Sequence, residues 1–182
     1  MKKKRILLKV GSNTLTKETD NISRGKIEDI ANQIAKLNDT CEFIIVSSGA
    51  IAVAKQFVKL ESKQSEIFVK QALASIGQPH LIRIYQEIFR EYGLLSSQCL
   101  LSYSDFEKQQ SKNNIVNTIN VLVNNNYIPI INENDTVATD EIQFGDNDKL
   151  AALTATLLNV DLLLIATNTN GVYTKESIKN NN

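Results

Sequence analysis

Four short polar stretches carry the residue types that chemistry requires. The first is Lys9-Val10-Gly11-Ser12-Asn13-Thr14, at the end of an apolar run. A glycine directly after a strand lets backbone N–H groups approach an anion, and Ser12 and Thr14 add hydroxyl donors. The stretch matches neither G-x-G-x-x-G nor G-x-x-x-x-G-K-[ST], so the dinucleotide and P-loop patterns are absent. Lys9 is the unusual residue, because lysine is uncommon within a buried strand. It either snorkels to solvent or is a fixed positive charge aimed at phosphate. The second stretch, Ser47-Ser48-Gly49-Ala50, stands where a strand feeds a helix. Free N–H donors at such a junction suit a carboxylate or a phosphate. The third is the densest: Asn132-Glu133-Asn134-Asp135, then Gly145-Asp146-Asn147-Asp148. Asp146 or Asn147 can cap the helix that begins near Asp148. Turn and cap chemistry explain one or two of these residues, not the recurrence of carboxylates beside amides. Such a set can hold an ammonium group, or Mg²⁺ through water. A zwitterionic amino acid needs both kinds of partner, anion donors at Ser48 and Gly49 and an acceptor at Asp135. The fourth stretch, Thr167-Asn168-Thr169-Asn170-Gly171, marks a tight turn.

These stretches need elements to hold them. Residues 5–10 and 43–46 read as strands, the second buried on both faces. Further strands are expected at 98–101, 128–131 and 162–166, with Pro129 tolerable near a strand start. Helical spacing covers 26–37, where Ile27, Ile30, Ala31, Ile34 and Leu37 recur, and continues at 51–57, 111–125 and 148–158. Two more helices are expected at 65–76 and 80–91, separated by Gly77-Gln78-Pro79. Alternating strands and helices predict a parallel sheet covered on both faces. Ligands of such sheets bind along the edge formed by the strand C-termini. All four polar stretches fall on that edge.

Composition narrows the classes. Lys+Arg and Asp+Glu both number 20, which leaves no basic excess for a nucleic-acid binder. A single histidine, His80, rules out a multi-histidine metal site. No metal-ligating residue is assigned. Cys41 and Cys99 sit in apolar contexts and read as buried, reduced thiols of a cytoplasmic protein. The apolar start after Met1-Lys-Lys-Lys-Arg5 is too short for a signal peptide. The hydrophobic stretch from Leu150 to Thr167 contains Asn159 and Asp161, and reads as helix, turn and strand rather than a membrane span.

Taken together, the polar stretches resemble the glutamate 5-kinases of the amino acid kinase superfamily. The carriers are Lys9-Val-Gly-Ser12, Ser48-Gly-Ala-Ile51 and Lys70-Gln-Ala-Leu-Ala-Ser-Ile-Gly-Gln78. The most specific are Ile131-Asn-Glu-Asn-Asp-Thr-Val-Ala-Thr139 and Gly145-Asp-Asn-Asp148. The resemblance runs from Lys4 to about Tyr173. It implies an α/β fold, a three-layer α/β/α sandwich with a largely parallel central sheet, as one domain over 1–182. It implies ATP-dependent phosphorylation of the L-glutamate γ-carboxylate, with ATP and Mg²⁺, as the first step towards proline. Lys9 and Asp146 are then the expected catalytic residues. Ser48, Gly49, Asp135 and Asn147 are expected to bind the substrate. Lys9, Gly11, Ser12, Thr167 and Asn168 are expected to bind the nucleotide. The expected partners are L-glutamate, L-proline as a feedback inhibitor and further copies of the chain, with no nucleic acid or membrane.

The resemblance has two departures. The family's Thr-Asp pair is Thr167-Asn168 here, which keeps a hydrogen-bonding carbonyl but loses a charge. Family members also continue with a Gly-Thr-Gly-Gly stretch and a downstream lysine at the nucleotide, whereas this sequence has 7 glycines and no Gly-Gly pair. An incomplete nucleotide lobe is therefore expected. The competing classes are a non-catalytic module that binds glutamate or proline, and a structural domain without a ligand.

Overall fold

The computed structural model describes residues 3–16, 22–60, 66–138 and 147–167. Its elements follow the expected alternation. Strand β1 (Lys4–Val10) leads through a one-turn helix α1 (Ser12–Leu15) to α2 (Arg24–Leu37) and β2 (Cys41–Ser47). Helices α3 (Ala50–Lys55) and α4 (Glu66–Glu91) precede β3 (Leu95–Leu101). A 3-10 turn at Tyr103–Phe106, α5 (Gln109–Asn124) and β4 (Tyr127–Glu133) come next. Helix α6 (Asp148–Leu157) and β5 (Leu162–Ala166) are the last described elements.

The five strands form one sheet in the order β3-β4-β2-β1-β5, and every pairing is parallel. The α/β fold read from the sequence is thus observed. Parallel neighbours require right-handed crossovers. From β1 to β2 to β3 the chain steps one way across the sheet, which lays α2, α3 and α4 on one face. From β3 to β4 to β5 it steps back, which lays α5 and α6 on the other. Two separate cores reflect this division. Ile6, Phe43, Ile45, Ile128 and Ile130 pack with Ala31, Leu81 and Tyr85 on the first face. Leu7, Ile44, Val46 and Ile131 pack with Ile119, Leu150 and Ala151 on the second. Adjacent strands β2 and β4 send their chains to opposite faces, and a crevice opens between their C-terminal ends. That is the ligand position such topologies provide.

Several details differ from expectation. Helix α4 is continuous across Gly77-Gln78-Pro79, with Pro79 inside it. The missing N–H and the ring clash cost about 3 kcal/mol in an isolated helix. Here Leu73, Ala74 and Gly77 before the proline, and Leu81, Ile82 and Tyr85 after it, are all buried, so packing on both sides carries the helix through. Pro129 lies within β4, but the ladder to β2 is recorded only at Ile130 and Ile131, so its missing donor leaves that ladder intact. Leu37 at the end of α2 is exposed. In α5, predicted over 111–125, Ile115, Ile119 and Val123 form the buried face. Neither α1 nor the 3-10 turn was legible in the apolar pattern. Cys41 and Cys99 are free and half-buried rather than fully buried. Burial still pushes the Cys99 thiol up to about 11, which keeps it protonated and unreactive.

Gly77 fixes how closely α4 approaches the crevice. A Cβ there would stand 1.8 Å from the carbonyl oxygen of Ala50, the first residue of α3. No side-chain rotation relieves a clash with backbone. Gly77→Ala should therefore destabilise the chain by about 2–3 kcal/mol through overpacking, despite the helical preference of alanine. Urea denaturation checks this, and a variant as stable as the parent would show that α3 moves aside freely.

Candidate functional site

Strand periodicity decides which way each polar side chain at the crevice points. Lys9 shares a face with Leu7, two residues earlier, and that face carries α6. Its ammonium meets Asp148 at the start of α6, with Nζ 2.5 Å from Oδ1. The Lys9 side chain is only 6% exposed and that of Asp148 is 47% exposed. Lys9 is therefore a held internal charge and does not snorkel to solvent. The ammonium also lies under the next turn, 3.1 Å from where a Cβ on Gly11 would stand. The Gly11–Thr14 turn is tied across to β5 by Thr14 Oγ1, which donates to Ala166 O at 3.0 Å.

On the neighbouring strand, Ser47 shares the face of Ile45 and points at α4. Its hydroxyl donates to Ser48 O at 3.0 Å, so it accepts from the Tyr85 hydroxyl, also at 3.0 Å. Burial pushes Tyr85 up to about 12 and keeps that donor protonated. Ser48 N–H donates to Val10 O at 3.1 Å, which locks the ends of β1 and β2 together. Gly49 follows with φ +110°, a conformation that side-chain-bearing residues rarely adopt, and its carbonyl accepts the first bond of α3.

Asn132, near the end of β4, shares the face of Ile128 and Ile130 and also points at α4. Its Nδ2 donates to Gln78 Oε1 at 2.8 Å. Its Oδ1 accepts from Glu133 N–H at 2.9 Å and from Asn147 Nδ2 at 2.8 Å. Asn147 Nδ2 also donates to Ser47 O at 3.1 Å. Amides thus run through the crevice from the helix layer on one face to the helix layer on the other. Asn147 occupies the N-cap position of α6, but its side chain makes no capping bond. Of the two cap candidates, Asp146 lies outside the described residues, and Asn147 does not cap with its side chain, which is turned into the crevice.

The chain of bonds has a direction with a chemical result. Asn147 spends its amide nitrogen on two carbonyl acceptors, which leaves Oδ1 buried without a partner among the described residues. Ser48 Oγ and Asp135 Oδ1 are likewise buried and unpartnered among those residues. Ser48, Asp135 and Asn147 are 1%, 7% and 0% exposed. Leaving such groups unsatisfied costs roughly 1–3 kcal/mol each, so their clustering at one crevice points to a polar ligand that satisfies them. Asp135 is pushed up to about 7, first by burial and then by the nearby Glu133 carboxylate.

Of the residues singled out in the sequence, Lys9, Gly11, Ser12, Ser48, Gly49, Asp135, Asn147 and Thr167 all lie along the C-terminal edge of the sheet. Asp146 and Asn168 lie outside the described residues. Sequence reasoning passed over Asp148 as a partner of Lys9, and Asn132 and Gln78 as the amides behind Asn147. A clue to Asp148 existed in the two-residue period linking Lys9 to the α6 face. For Gln78 the only signal was a polar side chain on the buried stripe of α4. Hollows of about 250 Å³, with Ser12 and Lys55 in the wall, and about 410 Å³, with Thr14 and Thr167, flank the Gly11 turn. Among the described residues no three His, Cys, Asp or Glu side chains converge as a metal site, and no helix is long and apolar enough to cross a membrane.

Comparison with known proteins covers nearly the whole chain. The profile of the amino acid kinase family matches residues 4–182. Glutamate 5-kinase of Bacillus anthracis is 39% identical over 181 residues, covering 99% of this chain and 49% of the relative. Glutamate 5-kinase 2 of Bacillus subtilis (strain 168) is 43% identical over 171 residues, covering 93% and 46%. Glutamate 5-kinase of Thermoanaerobacter sp. (strain X514) is 44% identical over 173 residues, covering 94% and 46%. The chain thus spans about half the length of the curated relatives it matches.

Asp135 gives the crevice a measurable pH signature. Its folded value lies above its ordinary value of 3.8, so between about pH 4 and 7 the folded chain holds a proton that the unfolded chain has released. Stability therefore falls as pH rises through that window. Asp135→Asn should be more stable than the parent by about 1–3 kcal/mol at pH 8, with a smaller gain at pH 5. Denaturation at the two pH values tests this, and an equal gain at both would mean that Asp135 is ionised throughout.

Proposed function

The chain belongs to the amino acid kinase family, and from that premise we propose that its crevice binds L-glutamate and directs phosphorylation of the γ-carboxylate by ATP. The observation that carries this reading is the set of buried, unpartnered oxygens at Ser48, Asp135 and Asn147, beside the held charge of Lys9. Asp135 and Asn147 supply acceptors for an α-ammonium group. The Ser48 hydroxyl and the N–H groups opening α3 supply donors for a carboxylate. Gripping one end of the amino acid sets which carboxylate reaches the phosphoryl donor. Relatives named glutamate 5-kinase support glutamate as that amino acid.

The chemistry asks little more of the chain. The nucleophile is a carboxylate, ionised at neutral pH, so no general base is needed. Phosphoryl transfer depends on alignment and on neutralising charge. Lys9, fixed by Asp148 under the Gly11 turn, places a positive charge where a phosphoryl group would cross between the Gly11 and Gly49 turns. Ser12 and Thr167 border the hollows around that turn and are the proposed nucleotide contacts. Asp146 and Asn168 complete the proposal from sequence alone. The described residues do not fit a protein-held metal cage, so Mg²⁺ enters as the companion of the nucleotide phosphates and no step is assigned to it. L-Proline, which also carries an amine and a carboxylate, would compete at Ser48 and Asp135. Association with further copies and a cytoplasmic location belong to the same proposal.

A second reading, amino-acid binding without turnover, is favoured by β5. Among the described residues β5 is the last strand of the sheet, and Leu162, Leu164 and Ile165 are exposed on it, so within those residues the side leading into Thr167 is less enclosed than the amino-acid side. Incubation with ATP, Mg²⁺, L-glutamate and hydroxylamine separates the two readings. γ-Glutamyl hydroxamate, absent with L-aspartate, supports the kinase. Lys9→Met should then lower kcat by about 10²–10³ while KM for L-glutamate changes little. No product, with L-glutamate still raising the melting temperature, supports the module. No product and no stabilisation removes L-glutamate from the crevice.

A further inference from the structure

Gln78 is the one side chain of α4 that reaches the amides of the crevice, and it is 8% exposed. Its Oε1 is committed to Asn132 Nδ2. Its Nε2 is consequently a buried donor, and it has no partner among the described residues. Gln78 also lines a small hollow of about 20 Å³, together with Ser75, Glu133, Asp135 and Thr136. That space is right for one water, which needs polar partners around it. Asp135, which lines the same hollow, has an oxygen that lacks a partner among the described residues. Gln78, with a donor lacking an acceptor, and Asp135, with an acceptor lacking a donor, thus both line a space of one water's size.

The geometry points to Gln78 as a positioning residue for the amino-group end of the site. It orients Asn132 directly, and through Asn132 the acceptor oxygen of Asn147, while a water in the hollow links its Nε2 to Asp135. The amino-acid part of this inference rests on the function proposed above. The link between Gln78 and Asp135 does not. Gly77 explains how Gln78 reaches the crevice, since the absence of a Cβ there lets α4 lie this close to Ala50. Besides Gln78 and Asp135, the polar residues lining the hollow among the described residues are Glu133, whose charge opposes ionisation of Asp135, and the neutral Asn134, Ser75 and Thr136, the last two bonded through their hydroxyls at 2.9 Å.

The test uses Gln78→Met, which keeps the length and removes both polar ends, and Gln78→Glu, which keeps an acceptor for Asn132. Carbon-13 NMR follows the Asp135 carboxyl through its titration, and calorimetry measures L-glutamate and Mg²⁺-ATP affinities separately. Gln78→Met should move the Asp135 titration upward and weaken L-glutamate about 5- to 10-fold, as the loss of one or two hydrogen bonds predicts, without changing Mg²⁺-ATP affinity. Gln78→Glu should keep the amide orientation but carry L-glutamate binding to higher pH, because a third carboxylate joins the hollow. An Asp135 titration identical in the parent and Gln78→Met would overturn the inference. If L-glutamate fails to bind even the parent while the titration still moves, the positioning role stands and the substrate is misassigned. A Gln78→Met protein that does not fold leaves Gln78→Glu to decide, since an unmoved titration there also overturns the role.

Discussion

The bond between Asn132 and Asn147 is the one on which the rest of the site depends. Asn132 stands near the end of a strand whose outgoing chain passes behind one face of the sheet. Asn147 starts the helix on that face and reaches back over the strand ends. The two therefore meet only at the crevice between β2 and β4, where crossovers diverge. Their pairing is fixed from both sides by main-chain groups, Glu133 N–H and Ser47 C=O, that have no alternative polarity. A side-chain amide flip at either residue would set like against like. The polarity of the crevice is thus built into the backbone, and the unspent acceptor on Asn147 follows from that constraint.

The same constraint links features of the site that look separate. Asp148 follows Asn147 directly, so anchoring one positions the other against Lys9. A buried ammonium is costly without its carboxylate. The α6 start, rather than solvent, therefore decides where the Lys9 charge rests. Tyr85 and Ser47 brace the opposite wall in the same way, through hydroxyls whose donor direction is settled by burial and by Ser48 O. The Asn147 acceptor is left poised because its own amide nitrogen is spent on Asn132 and Ser47.

The sheet was legible from the sequence because a parallel strand buried on both faces is a run of apolar residues, as in Phe43–Val46. The loops were legible because turn residues and the strand-to-helix alternation put them on one edge. What escaped was local grammar overridden by packing. Gly77-Gln78-Pro79 reads as a break, yet Gly77 is there for contact with Ala50 and the helix runs on. Asn147 reads as a cap, yet its amide has better partners 15 residues and 100 residues away. Gln78 and Asn132, 54 residues apart, give no pattern at all, since their pairing exists only once α4 and β4 are side by side. The resemblance supplied the expectation that Ser48 and Asp135 bind substrate, and the geometry shows that their oxygens are buried and unspent among the described residues.

Strand β1 sits between β2 and β5, and its register with β5 joins Ile6 to Leu162 and Val10 to Ala166. This has a consequence for biosynthesis. During translation at about 5–20 residues per second, β1 waits roughly 8–30 s for that neighbour to be made. Meanwhile its open hydrogen-bonding edge must be shielded by other means or left bare, and the face carrying Leu7 and Lys9 likewise waits for α6. The pairing of Lys9 with Asp148 is subject to a similar delay. On the ribosome, then, the β2 and β4 walls of the crevice are made first, and the charge beside them is set later.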